Sequence, residues 1–155
     1  MTTSSPADHP HPDRRRWMGI LARAPATRIS TLLARCGSLP AYTRLRGPEA
    51  GLVMVQGRAG GGGAPFNLGE MTVTRCTVRT ESAHVGHAYV AGRDEARAEL
   101  AAFVDALMQD AGRAAQVEQA VIAPLEVEQA AQRAARDAKA AATRVQFFAM
   151  QTMRT

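Results

Sequence analysis

The sequence contains few of the residues that usually mark a metal-binding, membrane or nucleic-acid-binding chain. Aromatic residues make up 5% of its 155 residues, Lys139 is its only lysine, and Cys36 and Cys76 are its only cysteines. Two distant cysteines form no metal-binding pattern, so we expect buried, inert thiols in a reducing compartment. No apolar run approaches the roughly 20 residues that a membrane-spanning helix requires. We therefore expect a cytoplasmic protein that does not enter a membrane.

The short motifs of common catalytic sites are also missing. The chain has no H-E-x-x-H, no C-x-x-C and no G-x-S-x-G, which excludes the zinc, dithiol and serine-hydrolase sites that these patterns mark. His84 and His87 are three residues apart, so on a strand their side chains would face opposite sides and could not share a metal ion. We expect no metal site and assign no catalytic residue.

The charge of the chain is positive and comes almost entirely from arginine. The formal net charge is +5 and the isoelectric point is about 10.2. Arginine makes bidentate contacts with carboxylate and phosphate groups, but an arginine bias also follows from genomic base composition, and the sequence supports both explanations. Nucleic-acid binding is the least favoured class, because so few aromatic side chains offer no platform on which bases stack.

The N-terminal part predicts a tail and two helices. Residues 1–12 are polar and lack periodicity, which predicts a disordered tail before a single domain over residues 13–155. Asp13 favours the start of a helix that runs to about Ala24, and Pro25 favours the start of a second helix that ends before Gly37. The expected apolar stripes are Trp17, Ile20, Leu21 and Ala24, then Ile29, Leu32, Leu33 and Cys36. Six arginines lie mainly on the other faces, where we expect either a solvated basic face or a surface for an acidic partner: Arg14, Arg15, Arg16, Arg23, Arg28 and Arg35.

The middle of the chain predicts three or four antiparallel strands. A short strand is expected from Tyr42 to Arg46, then a turn at Gly47-Pro48. The run from Leu52 to Val55 is apolar at every position, which favours an interior strand. The alternation from Met71 to Val78 changes phase at Arg75, which indicates a bulge. Hairpins are expected at 57–69 and 80–84, and Val85, His87 and Tyr89 should share one face of the last strand.

The C-terminal third predicts helices, so the expected class is α+β: a small antiparallel sheet of three to four strands with an N-terminal helix pair and long C-terminal helices. The clearest helix follows Asp94 and Glu95 and ends at Gly112. Val117, Val121 and Leu125 continue a helical face that Pro124 should kink or restart. A heptad seam then predicts an extended arm that packs on another subunit or back on the sheet: Val127, Ala131, Ala134, Ala138, Ala141 and Val145, anchored by Phe147, Phe148 and Met150.

The segment from Gly57 to Cys76 holds the strongest candidates for a binding site. Its sequence is G-R-A-G-G-G-G-A-P-F-N-L-G-E-M-T-V-T-R-C, and its glycines fit neither G-x-x-x-x-G-K-[ST] nor G-x-G-x-x-G. A glycine loop with polar and cationic neighbours suits an anion or a closely packed partner backbone, although a simple hairpin loop or an ion pair of Glu70 with an arginine also explains the pattern. The candidates for binding a substrate or partner are Arg58, Gly60, Gly61, Gly62, Gly63, Asn67, Glu70, Arg75 and His87, with Arg79 on the face of Arg75.

This segment resembles the signature of the G subunit (PhnG) family of the bacterial carbon–phosphorus lyase system. Further blocks agree in the same order: Arg16-Trp17-Met18 and Leu21-Ala22-Arg23-Ala24 near the N-terminus, Gly86-His87-Ala88-Tyr89-Val90 and Gly92-Arg93-Asp94 in the middle, and Ala141-Ala142-Thr143-Arg144-Val145-Gln146-Phe147-Phe148 near the C-terminus. The resemblance covers about residues 14 to 154 and is specific, because several blocks recur in order.

The resemblance implies a subunit of the carbon–phosphorus lyase core complex in phosphonate catabolism, with the I, H and J subunits as partners. It implies a part in displacing adenine from ATP by methylphosphonate, which gives α-D-ribose 1-methylphosphonate 5-triphosphate. ATP would be a substrate of the complex, and we expect no cofactor bound by this chain alone. Two roles stay open: a partner that completes the transferase site, or an assembly scaffold without catalytic groups.

Overall fold

The computed structural model describes residues 12–144 and has the α+β architecture that the sequence predicts. A helix pair precedes a three-stranded antiparallel sheet, and further helices follow it. In chain order the elements are α1 (Pro12–Leu21), α2 (Ala26–Leu33) with a 3-10 turn (Ala34–Cys36), β1 (Tyr42–Arg58), a 3-10 turn (Ala59–Gly61), β2 (Pro65–Thr80), β3 (Val85–Ala91), α3 (Glu95–Met108), α4 (Ala114–Val117), a π-helical turn (Glu118–Ile122) and α5 (Ala123–Ala142). The predicted tail at residues 1–11 and the anchor Phe147, Phe148 and Met150 lie outside the described residues.

The two N-terminal helices bury the apolar stripes that their periodicity predicts. Every residue of both stripes is buried: Trp17, Ile20, Leu21, Ala24, Ile29, Leu32, Leu33 and Cys36. The helix ends differ slightly from the prediction, because α1 already includes Pro12 and ends at Leu21. Pro25 is extended and stands directly before α2, where its missing N–H costs the helix no hydrogen bond.

The sheet has the order β1-β2-β3, so β2 is central and β1 is an edge strand. Two predictions for β1 were wrong: the strand continues through Gly47-Pro48, and the Leu52–Val55 run is not interior, since Leu52 is 63% exposed. The edge position explains the first, because proline is tolerated there where its missing donor breaks no ladder bond. The second follows because Leu52 pairs with Thr72, beyond the part of β2 that β3 covers. The bulge that the sequence predicts at Arg75 of β2 lies instead on the partner strand β1. Arg46 pairs with Thr77 and Glu49 pairs with Arg75, so two residues of β1, Gly47 and Pro48, lie between these pairs where β2 has one.

Beyond β3, the β1–β2 hairpin continues as two strands alone. Strand β3 pairs with β2 only from Val73 to Arg79, so residues 52–72 form a two-stranded extension, which we call the ribbon. Both predicted hairpins are present, and the glycine run closes the longer one. Large apolar side chains of the ribbon are exposed: Leu52, Met54, Phe66, Leu68 and Met71. The ribbon therefore leaves apolar surface uncovered within the described residues.

Helix α3 packs across the sheet and forms the centre of the core. Residues 101–108 are all buried, so this part of the helix is covered on every side. Asp94 caps its N-terminus by accepting a hydrogen bond from the backbone N–H of Arg97. Gly86 of β3 allows the close approach, because a Cβ there would lie 1.9 Å from the carbonyl oxygen of Ala102.

The C-terminal helices start inside the core and end outside it. Val117, Val121 and Leu125 are buried as predicted, and a π-helical turn precedes Pro124, which stands in the first turn of α5. The described part of the alanine seam is exposed, however, and does not pack back on the sheet. Residues 130–142, which we call the arm, are exposed at every position, and Val127 just before them is 69% exposed.

Several arginines of α1 and α2 bind acidic residues of the same chain. The sequence predicts either a solvated basic face or a surface for an acidic partner, and neither alternative includes pairing within the chain. Arg16 pairs with Glu118 and Glu126, and Arg28 pairs with Glu128. These contacts join the N-terminal helix pair to α5 and to the turn before it.

Candidate functional site

The outer face of the sheet carries two of the predicted site residues, Arg75 on β2 and His87 on β3. The face opposite α3 holds Arg75, Thr77 and Arg79, and their β3 partners are Tyr89, His87 and Val85. The β2–β3 register is regular here, so Arg75 and Arg79 share this face as predicted. His87 and Tyr89 are both exposed beside them.

Arg75 is already paired within the chain. Its Nε donates a hydrogen bond of 2.6 Å to Glu49 Oε1, and Arg46 contacts the same carboxylate. The hydrogen bond from Arg75 lowers the pKa of Glu49, which therefore stays ionised at neutral pH. The ion-pair alternative thus holds for Arg75, with Glu49 as the acid in place of Glu70.

His87 is held in place from two sides. Its Nδ1 lies 3.1 Å from Thr77 Oγ1, and its backbone N–H donates a hydrogen bond of 2.9 Å to Asp105 Oδ2. The small neighbours Gly86 and Ala88 are buried under α3, so they serve the helix contact and do not open a path to the imidazole. Instead, His87 borders a cavity of about 240 Å³ between α1 and β3.

The remaining candidates lie on the ribbon. Arg58 Nη1 donates a hydrogen bond of 3.2 Å to the carbonyl oxygen of Gly63, so this guanidinium closes its own turn. Gly60 has a φ of +59°, and a Cβ at Gly63 would lie 2.7 Å from the carbonyl oxygen of Ala59. Both glycines are therefore needed for the turn itself. Gly61 and Gly62 complete it, as the hairpin-loop alternative predicts.

The nine candidates form two separate groups. Asn67 pairs with Gln56 near the tip of the ribbon, whereas His87 pairs with Thr77. At about 3.3 Å per residue, Asn67 lies roughly 30 Å along β2 from Thr77. Glu70 is opposite Met54 on the ribbon and faces away from the side of Arg75. One small ligand could not contact both groups at once.

Among residues 12–144, the Asp105 carboxylate accepts more side-chain hydrogen bonds than any other, and the apolar periodicity of α3 did not identify it as important. Its carboxylate is fully buried and accepts hydrogen bonds from Arg14 Nε at 3.1 Å, Arg14 Nη2 at 2.7 Å, Trp17 Nε1 at 2.9 Å and the His87 N–H. It therefore joins α1 to the free edge of β3. The available signal was one acid in the apolar run Phe103-Val104-Asp105-Ala106-Leu107, since a buried acid requires partners.

The described residues offer no ready metal site. Across residues 12–144, no group of three or more His, Cys, Asp or Glu side chains could hold a metal ion. Cys36 and Cys76 are buried free thiols, and burial raises the pKa of both. None of the helices described between residues 12 and 144 is long and apolar enough to cross a membrane.

Comparison with known proteins identifies the family. The model of the family described as "Phosphonate metabolism protein PhnG" matches residues 12–153. A relative from Rhizobium meliloti (strain 1021) is 49% identical over 140 residues, which cover 88% of this chain and 87% of the relative. That relative is named "Alpha-D-ribose 1-methylphosphonate 5-triphosphate synthase subunit PhnG". The chain belongs to the PhnG family of phosphonate metabolism proteins.

Proposed function

We propose that this chain is a subunit of an α-D-ribose 1-methylphosphonate 5-triphosphate synthase complex and functions only within it. In the reaction of the complex, a methylphosphonate oxygen bonds to ribose C1′ of ATP as the bond from C1′ to adenine breaks. Family membership and the name of the relative support this proposal. The I, H and J subunits of the carbon–phosphorus lyase system are its proposed partners, in the cytoplasm. The chain binds no cofactor by itself, and ATP is a substrate of the complex.

The observation that carries the proposal is the apolar surface of the ribbon. Leu52 is 63% exposed and Leu68 is 62% exposed, in parts of the strands beside which residues 12–144 place no third strand. A two-stranded hairpin is at best marginally stable in water without a packed face. A partner that covers the ribbon would bury these side chains, and each buried leucine is worth about 1.5–3 kcal/mol.

The arm offers a second surface of the same kind. Its exposed face carries small side chains at heptad spacing, including Ala131, Ala134 and Ala138, after the exposed Val127. Alanine seams allow helices to approach closely but bury little area per residue, so a broad partner surface is needed. The ribbon and the arm together provide two separate contacts for neighbouring subunits.

A specific observation also favours the scaffold role within the same complex. The charge of Arg75 is already neutralised by Glu49, and Arg58 Nη1 donates a hydrogen bond to the Gly63 carbonyl oxygen in its own turn. Arg75 is therefore not poised, within this chain, to receive a phosphate or phosphonate group. The two roles predict different effects of the same substitution, which makes them separable.

The test is reconstitution of the complex with variants of the ribbon. Leu68→Lys should reduce co-purification with the I subunit at least about tenfold, because it places a charge in the proposed apolar contact. Leu45→Lys is the matched control, since Leu45 is a half-exposed leucine on β1 outside the ribbon. If both variants co-purify with the I subunit as well as the wild-type chain does, the proposed contact is contradicted. Synthase turnover by this chain alone would contradict the proposed function.

Substitutions at the outer face separate the two roles. His87→Gln in an assembled complex should lower synthase activity if this chain completes the transferase site. If the chain is only a scaffold, the same complex retains full activity. His84→Gln is the matched control, since His84 lies in the turn before β3, where its Nδ1 is 3.2 Å from Ser82 Oγ.

A further inference from the structure

A groove between α1 and α5 collects an unusual number of arginines. Its volume is about 520 Å³, within the roughly 300–1,000 Å³ typical of ligand sites. Its walls are Arg15, Arg16, Gly19, Ile20, Arg23, Glu126, Gln129 and Arg133. Four arginines against one glutamate give the lining a formal charge of +3. The groove is separate from the ribbon and from the outer face of the sheet.

The fold builds this groove from residues at helical spacing. Arg15 and Gly19 are four residues apart and lie along one side of α1, and Arg23 follows in the turn after the helix ends at Leu21. Gln129 on α5 is buried, donates a hydrogen bond of 2.8 Å to the Ile20 carbonyl oxygen and accepts one of 3.3 Å from Arg23 Nε. Arg23 is thereby oriented through its Nε, which leaves its two terminal nitrogens available.

The arginines differ in how far their charge is already neutralised. Arg16 is held by Glu118 at 2.5 Å and by Glu126 at 2.6 Å. Arg15 and Arg133, in contrast, have no carboxylate within 4 Å among residues 12–144. Two guanidinium groups on opposite walls are therefore available for an anion.

We propose that this groove binds the triphosphate group of the nucleotide substrate and of the product. Arg15 on α1 and Arg23 just beyond its end are eight positions apart in the chain, so the groove presents its cations along a length that suits a chain of phosphates better than a single one. Guanidinium groups bind phosphate oxygens through paired, charge-assisted hydrogen bonds. This inference rests on the proposed function, because that function supplies a ligand with a triphosphate.

The lining also predicts what the groove does not recognise. None of its residues is aromatic, so a nucleobase finds no stacking surface there. ATP, GTP and inorganic tripolyphosphate should therefore bind with similar affinity. Such a site holds the triphosphate equally well before and after adenine leaves ribose C1′, so it lowers KM and leaves kcat nearly unchanged.

The test measures tripolyphosphate binding to the full-length chain by calorimetry at about 0.15 M salt, an ionic strength that screens unspecific attraction. The double variant R15Q/R133Q should bind at least about tenfold more weakly than the wild-type chain, because two charge-assisted contacts are lost. The control R136Q/K139Q removes the same charge from exposed positions of α5 outside the groove and should bind within about twofold of wild type. In a reconstituted complex, R15Q/R133Q should raise the KM for ATP at nearly unchanged kcat.

Each contrary result has a distinct meaning. No tripolyphosphate binding by the wild-type chain, or equal losses in both double variants, overturns the groove proposal. Loss of complex assembly by R15Q/R133Q without any tripolyphosphate binding by the wild-type chain also overturns it. Because Arg133 belongs to the arm as well, loss of assembly by R15Q alone would then assign the groove to an acidic segment of a partner. Tripolyphosphate binding by a chain that never joins the I subunit supports the groove and contradicts only the proposed function.

Discussion

The buried carboxylate of Asp105 provides a demanding test of the fold. Asp105→Ala removes the acceptor of four donor groups: the Arg14 guanidinium, the Trp17 indole N–H, the His87 backbone N–H and, at 3.5 Å, the Gln109 side-chain amide. The Asp105 side chain is 0% exposed and that of Arg14 is 26% exposed, so water cannot fully replace the lost contacts. Removing one partner of such a buried pair costs about 3–5 kcal/mol.

That loss is a large share of the stability of one domain, which is about 5–15 kcal/mol in total. For a chain of this size each kcal/mol lowers Tm by about 2–4 °C, so we expect a fall of about 6–20 °C. Urea unfolding of the full-length chain measures the loss of free energy, and thermal unfolding measures the fall in Tm, both followed by far-UV circular dichroism. Asp105→Asn keeps the shape and one acceptor oxygen but loses the charge. Its free energy of unfolding should therefore lie between those of the wild-type chain and Asp105→Ala.

A matched control separates the buried network from the loss of an acid as such. Asp137→Ala removes a carboxylate from the exposed arm and should change the free energy of unfolding by less than about 0.5 kcal/mol. If Asp105→Ala costs less than about 1 kcal/mol at an unchanged m-value, the carboxylate does not join α1 to β3 and the reasoning fails.

Three further results are expected. Gly86→Ala should destabilise the chain by more than about 3 kcal/mol in urea unfolding, because its Cβ would collide with the α3 backbone; a near-neutral variant would show that α3 does not approach β3 this closely. Burial, followed by the hydrogen bond to Glu99, raises the pKa of Tyr42 to about 12 from 10, so the stability that the protonated phenol contributes is fully present below about pH 10 and is lost between about pH 10 and 12. Tyr42→Phe should lack that loss in unfolding measured across this window. Cys36 and Cys76 should react with a thiol reagent only at the rate of unfolding, because both are buried and their pKa values are raised; prompt labelling of the native chain would contradict their burial.

The sequence predicted those parts of the fold that local periodicity determines. The stripe that contains Trp17 and the helical face that contains Val121 are buried as expected, because a 3.6-residue repeat aligns apolar side chains without reference to the rest of the chain. The hairpin at the glycine run followed from backbone freedom at Gly60 and Gly63. Pro124 likewise marked the change of helical geometry before α5.

Features that depend on distant partners were not predictable in this way. The Gly47-Pro48 pair reads locally as a turn, but pairing with β2 on an edge strand keeps β1 continuous. The contact between Arg14 and Asp105 spans 91 positions and leaves no local pattern. The candidate site divided for a different reason: Asn67 and Arg75 are close in sequence, but they lie on one long strand, whose extended backbone separates them in space.

The exposed ribbon and arm are the surfaces that other subunits should complete, and hydrogen exchange tests this most directly. Amide exchange of the full-length chain is compared before and after assembly with the I, H and J subunits, using mass spectrometry at peptide resolution. We predict new protection concentrated in residues 52–72 and 130–142, with little change in the already buried α3. An active complex in which both segments exchange as fast as in the free chain would contradict the account.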